Sequence, residues 1–181
     1  MPLTFRICAV ALLFAAVASA QPAPRDLNTQ AAAMRELAFL QGRWLGQGWR
    51  NLPNGERVQS TQSIFVEPRA SGLALIVEGI SLRQGAADTK PSTASLAVVS
   101  YDERTKRYRF RSFGFGEMIE AEGEFVPPAK FQWTVPAGPA MLRFVVDGSN
   151  GTWNETGLRS GDGGKSWTPI YALTAHRTGE R

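Results

Sequence analysis

The chain has 181 residues with a single cysteine and a single histidine, and 20 basic against 16 acidic side chains give a net charge of +4. So few thiol and imidazole groups leave no metal-ligand set and no Cys/His or Ser/His/Asp catalytic arrangement to assemble. The pI is 9.6, yet acids and bases interleave with no run of one sign, which argues against nucleic acid as a partner.

The N-terminus reads as an export signal. Arg6 is the one charge before an apolar run from Ile7 to Val17, and Ala18-Ser19-Ala20 forms a small-residue cleavage site ahead of Gln21. That run is too short to span a bilayer, and no later stretch approaches the roughly 20 apolar residues of a membrane helix. The expectation is a periplasmic or secreted protein of about 160 residues beginning near Gln21. Losing Arg6 lowers the net charge to +3, and losing Cys8 leaves the mature chain without thiol or disulfide chemistry. Cys8 lies too far upstream of the cleavage site to carry a lipid anchor. Residues 21–29 read as a mobile polar leader and residues 30–181 as one domain.

From Gln30 to Gln41 three alanines precede Met34, Leu37, Ala38 and Leu40 at helical spacing. Asn28 or Thr29 is positioned to cap the start, and Gly42 fits just past the end. One amphipathic helix of about three turns has no core of its own and must pack on something else. Ten strand candidates follow, with no second helix: Gly42–Asn51, Glu56–Val66, Gly72–Leu82, Ala94–Tyr101, Arg107–Phe113, Met118–Phe125, Lys130–Val135, Met141–Val146, Thr152–Leu158 and Ser166–His176. Between them stand turn residues such as Pro53-Asn54-Gly55, Pro127-Pro128, Gly138-Pro139 and Gly161 to Gly164. Even spacing and short turns predict an all-β, closed up-and-down antiparallel barrel, since closure removes the exposed edges of a ten-strand sheet.

Strand facing names a candidate site. Arg107, Arg109 and Arg111 share one face of their strand, and Glu120, Glu122 and Glu124 share one face of the next. A short loop at Gly114 to Glu117 sets the two rows opposite each other, as three cross-strand ion pairs on the outer wall. Tyr108 and Phe110 then point inward, because three arginines do not line a dry interior without partners. Ile119, Ala121 and Gly123 face them with smaller side chains. Alternation adds Trp133, Trp153 and Tyr171 to the inner face. Two carboxylates compete to be the polar contact among these aromatics. Glu78 follows five apolar positions, and Glu155 lies between Trp153 and Gly157 on one face. If both pointed inward, their repulsion would raise one pKa and make a general acid, the one route to a hydrolase in this sequence. The plain alternative for Glu78 is an exposed place on the outer face, and for the aromatics a filled interior without a cavity.

Three motifs bear on family. Ser160-Gly161-Asp162-Gly163-Gly164-Lys165-Ser166-Trp167 is a single Asp-box, a hairpin motif of sialidase propellers; one copy in a chain this short marks a hairpin and not a propeller. Tyr101-Asp102-Glu103-Arg104-Thr105-Lys106-Arg107-Tyr108 is a second hairpin. Gly42-Arg43-Trp44-Leu45-Gly46, behind a short helix, carries the strongest signal. Together they make the chain similar to a secreted bacterial branch of the calycin superfamily, which includes lipocalin, fatty-acid-binding and nitrobindin-like barrels. The resemblance implies a helix at one barrel mouth, an interior cavity for a small hydrophobic ligand, and no catalysis. It also implies that Trp44 closes one end of the barrel by stacking with a basic residue of the last strand, here Arg177. The site it suggests comprises Tyr108, Phe110, Trp133, Trp153 and Tyr171 with Glu78 or Glu155, and no cofactor. Nitrobindins bind haem through a histidine of the last strand, so haem at His176 is the alternative; His176 departs from the pattern by falling near the strand end, with Tyr171 to Leu173 at the ligand level. A filled barrel serving as an interaction module is the other alternative.

Overall fold

A computed structural model describes residues 27–86 and 90–179. The expected signal peptide, and residues 21–26 of the expected leader, lie outside them. Helix α1 (Leu27–Glu36) runs into a 3-10 turn (Leu37–Leu40). It starts three residues before the predicted Gln30, so Asn28 and Thr29 are helical and not caps. Its last turn tightens to 3-10, as helices often do before a strand.

Ten strands follow: β1 (Gly42–Asn51), β2 (Arg57–Arg69), β3 (Ala74–Arg83), β4 (Thr93–Asp102), β5 (Arg107–Gly114), β6 (Glu117–Val126), β7 (Lys130–Ala137), β8 (Ala140–Asp147), β9 (Trp153–Ser160) and β10 (Thr168–Arg177). Each pairs antiparallel with its sequence neighbours, and β10 pairs with β1 to close the barrel. The predicted class and topology hold. Boundaries shift by one or two residues elsewhere and most at the end of β2, which passes through Pro68 to Arg69, so that the break falls at Ala70 to Gly72, all three at positive φ. Proline costs a strand one donor and no acceptor, so it is tolerated close to a strand end.

The Arg and Glu rows lie across from each other, Arg109 opposite Glu122 and Arg111 opposite Glu120, with ion pairs at 3.1 Å in both cases. The third expected pair does not form. The β5–β6 ladder ends at Tyr108 opposite Gly123, and Glu124 instead accepts the Gln132 amide at 2.7 Å.

The β6–β7 seam is short. Only four residue pairs join it, Gly123 with Trp133 through Val126 with Lys130, whereas every other seam registers at least seven. Beyond Gly123 the two strands separate, leaving a cavity of about 500 Å³ lined by Ala121, Gly123, Trp133, Arg143 and the β6 carboxylates.

The core fills one half of the barrel. Leu37 and Leu40 from the helical turn meet Trp44, Val66, Leu75, Val99, Tyr108, Phe131, Val146, Trp153, Leu173 and Ala175, all buried. The Tyr108 hydroxyl lies 2.7 Å from the Ala33 carbonyl and 2.8 Å from Glu36 Oε2, sharing its one proton between these two acceptors and fixing α1 across the barrel end. Trp44 donates its indole N–H to the Leu40 carbonyl at 2.9 Å, and the Arg177 guanidinium lies 4.2 Å from the centre of its ring. Arg177 also donates to the carbonyls of Gln41 and Phe39, so it collects acceptors that the end of the helical segment leaves open. Gly42 (φ +122°) runs under this guanidinium, and a Cβ there would meet Arg177 Nη1 at 2.3 Å.

Candidate functional site

The other half of the barrel is built differently. Alternation from the buried anchors puts Gly79 and Ser81 of β3, Ser95 and Ala97 of β4, Ser112 of β5, and Ile119 and Ala121 of β6 on the inner face. Across from these mostly small residues stand Trp133, Phe144 and Tyr171 from β7, β8 and β10. Trp133 is stacked between Phe110, with centroids 4.4 Å apart, and Phe144 at 5.5 Å. Phe144 and Tyr171 are both register partners of Gly157, and a Cβ on Gly157 would meet Tyr171 Cβ at 2.9 Å and Phe144 Cε1 at 3.0 Å. A glycine is needed there so that two aromatic side chains can lie over one strand.

Glu155 sits one inward position deeper on β9, between Trp153 and Gly157. Its Oε2 accepts the Trp153 indole N–H at 3.1 Å. The Tyr171 hydroxyl donates to Gln62 Oε1 at 3.0 Å and is also within reach of the Glu155 carboxylate. It has one proton for the two acceptors. Burial pushes the Glu155 carboxyl up to about 7, against the hydrogen bonds from Trp153 and Tyr171, which favour the charged form. Burial, and next the charge of Glu155, push the Tyr171 phenol well above its usual range, so it is a neutral donor at any working pH. None of the ion pairs among the described residues involves Glu155.

Trp133, Phe144, Glu155, Tyr171 and Gln62 all point into the barrel, and all retain accessible surface. Their counterparts at the helix end retain almost none: Phe131, Val146, Leu173 and Val66 are each at most 2% exposed. The cavity along the β6–β7 seam touches Trp133 but not Glu155, Tyr171 or Gln62. We place the candidate site inside the open half, where the polar and aromatic groups converge, with the seam as its flank.

The sequence-predicted residues separate into three groups. Phe110, Trp133, Tyr171 and Glu155 come together on the inner face of the open half. Tyr108 and Trp153 also face inward but are buried, Tyr108 against α1 and Trp153 with its ring 5.8 Å from Trp44; only the indole N–H of Trp153 reaches the site. Glu78 is a correction. It is exposed on the outer face, opposite Phe65 and Leu96. The apolar run before it gave no phase, and an unpaired carboxylate takes the solvated side. The convergence of Glu78 with Glu155 that a hydrolase required is therefore not made. His176, the residue on which the haem alternative rested, is exposed on the outer face opposite Leu45 and does not fit a ligand inside the barrel. Two site residues were missed. Gln62 shares its face with Val58, Ile64 and Val66, and Phe144 shares one with Leu142 and Val146; parity with those neighbours was the available signal.

The Asp-box is a structural hairpin here. Asp162 accepts the backbone N–H groups of Lys165 and Ser166 and the hydroxyls of Ser160 and Ser166, which hold its carboxyl far below the ordinary range. The Trp167 indole closes the turn onto the Gly164 carbonyl, and Arg143 lies 4.2 Å from the centre of its ring.

A closed ten-strand meander with a helix across one end fits a calycin-like barrel fold. Two solved structures share the fold. Rv2717c from M. tuberculosis is 13% identical with a TM-score of 0.56, over 81% of this chain and 97% of that one. The S-type phycobiliprotein lyase CPES from Guillardia theta is 9% identical with a TM-score of 0.57, over 87% of this chain and 100% of that one. No family model matches the sequence, and no curated protein is similar to it at a significant level.

Proposed function

We propose that this chain is a binding protein for a small, largely hydrophobic molecule held in the open half of the barrel, and that it performs no chemistry on it. One observation carries the reading: Gln62, Trp133, Phe144, Glu155 and Tyr171 face the interior of a closed barrel and still present accessible surface, while Val66, Phe131, Val146 and Leu173, on the same strands toward the helix end, are at most 2% exposed. Apolar walls with a few fixed polar groups are the usual make-up of a small-molecule site. The small residues of β3 to β6 leave room opposite the aromatic wall. A single carboxylate lacks the second group that general acid–base hydrolysis calls for, which favours binding over catalysis. The N-terminal segment read from the sequence as an export signal supports a periplasmic or extracellular setting for this binding. CPES is by its title a phycobiliprotein lyase, and what it shares with this chain is the barrel in which such a site can be built.

Titrating the mature protein with N-phenyl-1-naphthylamine, a neutral apolar fluorophore, tests this. The expected result is saturable binding with energy transfer from tryptophan, weakened at least tenfold by Phe144→Ala. An absence of saturable binding would mean a filled barrel, and would leave the interaction module as the reading.

A further inference from the structure

Glu155 is surrounded by neutral groups. From β9 itself the Trp153 indole donates to it; from β10 the Tyr171 hydroxyl approaches it; from β8 it faces Val146 and, beyond Gly157, Phe144. The inner face of β2 contributes Val58, Ser60, Gln62, Ile64 and Val66, none titratable. Among the described residues, four strand cations share its inward parity: Arg50 of β1, opposite Tyr171 on the mouth side; Arg159 of β9 itself, exposed at the mouth beyond Gly157; Arg83 of β3, exposed and paired with Glu56; and Arg177 of β10, committed to Trp44 and to the carbonyls of Gln41 and Phe39 at the far end. None of the four is in an ion pair with Glu155. A carboxylate taken from water into an apolar enclosure needs a counter-charge or a proton. Here the protein supplies two hydrogen-bond donors and no cation.

The surroundings are of the kind that receives a positive charge. Phe144 and Tyr171, which meet over Gly157 next to the carboxylate, present aromatic surface there, and ring faces attract cations that have shed their water; Trp133 backs Phe144, its own faces covered by Phe110 and Phe144. Aromatic rings around one carboxylate form a cage for a protonated nitrogen carried on an apolar body.

Resting on the reading of the open half as a small-molecule site, we propose that its ligand is a lipophilic amine or amidine whose protonated nitrogen pairs with the Glu155 carboxylate between Phe144 and Tyr171. The apolar part of such a ligand lies toward Ala97, Ser112, Ile119 and Ala121. Tyr171 and Gln62 orient the carboxylate and do not neutralise it.

The test uses three naphthalene probes of one size on the mature protein: 2-naphthylmethylamine (cationic), 2-naphthylmethanol (neutral) and 2-naphthoate (anionic), each measured by isothermal calorimetry at pH 8. The expected order is amine, alcohol, acid, with at least a tenfold preference for the amine over the alcohol. Glu155→Gln removes that preference, and a far-ultraviolet circular dichroism spectrum matching the wild type's reports that the variant is folded. Between pH 6 and 8 the wild-type affinity for the amine rises as Glu155 releases its proton, because the ammonium stays charged throughout; alcohol binding stays flat, and Glu155→Gln flattens the amine profile. If amine and alcohol bind equally, or if the preference survives in Glu155→Gln, the cation site is wrong and the hydrophobic site stands. If none of the three probes binds, and N-phenyl-1-naphthylamine fails as well, both readings fall.

Discussion

The two ends of this barrel are made from the same ten strands and differ in what they do with their inward positions. At the helix-capped end, Trp44, Phe131, Leu37 and Tyr108 interlock, and the polar atoms there are spent on structure: Tyr108 on α1, the Trp44 indole on Leu40, Arg177 on backbone carbonyls. At the open end the strands carry Gly, Ala and Ser on one side and a stacked aromatic row on the other, and the polar atoms of Glu155 and Tyr171 bond to Trp153 and Gln62 among residues that keep accessible surface. Close packing is what gives a fold its stability, and unfilled volume is what a ligand requires. The chain separates the two demands along the barrel axis.

The largest expected effect is at the packed end. Trp44→Ala removes a buried indole, its hydrogen bond and the seat of Arg177, and should cost about 3–5 kcal/mol in urea denaturation. Phe144→Ala, an aromatic truncation of similar chemistry at the open end, should cost less than half of that while abolishing probe binding. Equal costs at the two sites would remove the distinction between a structural end and a binding end.

The next effect sharpens the comparison through pH. Glu155 has its folded-state pKa raised to about 7, above its unfolded value, so the folded chain holds a proton that the unfolded chain releases. Its favourable contribution is complete below the unfolded pKa and is lost as the pH rises through about 7. Glu155→Gln should therefore be more stable than wild type at pH 8, by roughly 1–3 kcal/mol, and nearly equal to it at pH 4. A thermal midpoint difference that does not change between these two pH values would show that Glu155 is solvated.

The smallest effect lies outside both halves. Arg111→Ala breaks one exposed pair with Glu120 on the outer wall and should cost at most about 0.5 kcal/mol, vanishing in 1 M salt. A larger cost would mean that the outer wall, and not the helix-capped core, sets the register of β5 and β6.

How much of this was legible follows from where the sequence carries phase. Arg107 to Arg111 and Glu120 to Glu124 alternate with apolar or small residues, so facing and pairing on β5 and β6 could be read directly. Trp153, Glu155 and Gly157 share one parity, which was enough to turn Glu155 inward. Leu73 to Val77 is apolar at every position, so the strand before Glu78 offered no alternation to count from. The polar run Gln59 to Ser63 concealed Gln62 in the opposite way, and the apolar run Leu142 to Val146 concealed Phe144. The bulge between Pro169 and Tyr171 resets parity on β10, and only the stretch beyond it obeys simple alternation. Which aromatics fill space and which line it depends on distances between strands far apart in sequence, and no local pattern contains those.

The short seam between β6 and β7 has a consequence for life in a crowded compartment. Closing a sheet into a ring is supposed to abolish the free strand borders on which other chains nucleate, yet where these two strands part, residues 117–122 and 134–137 face each other without a ladder between them. The chain guards this border as open sheets guard theirs. Glu117, Glu120 and Glu122 line one lip with charged side chains, the latter two paired with Arg111 and Arg109, and on the other Pro136 deletes a backbone donor from β7. An incoming strand would have to desolvate those carboxylates while finding one partner group missing, so the slit is open to small solutes and closed to polymerisation.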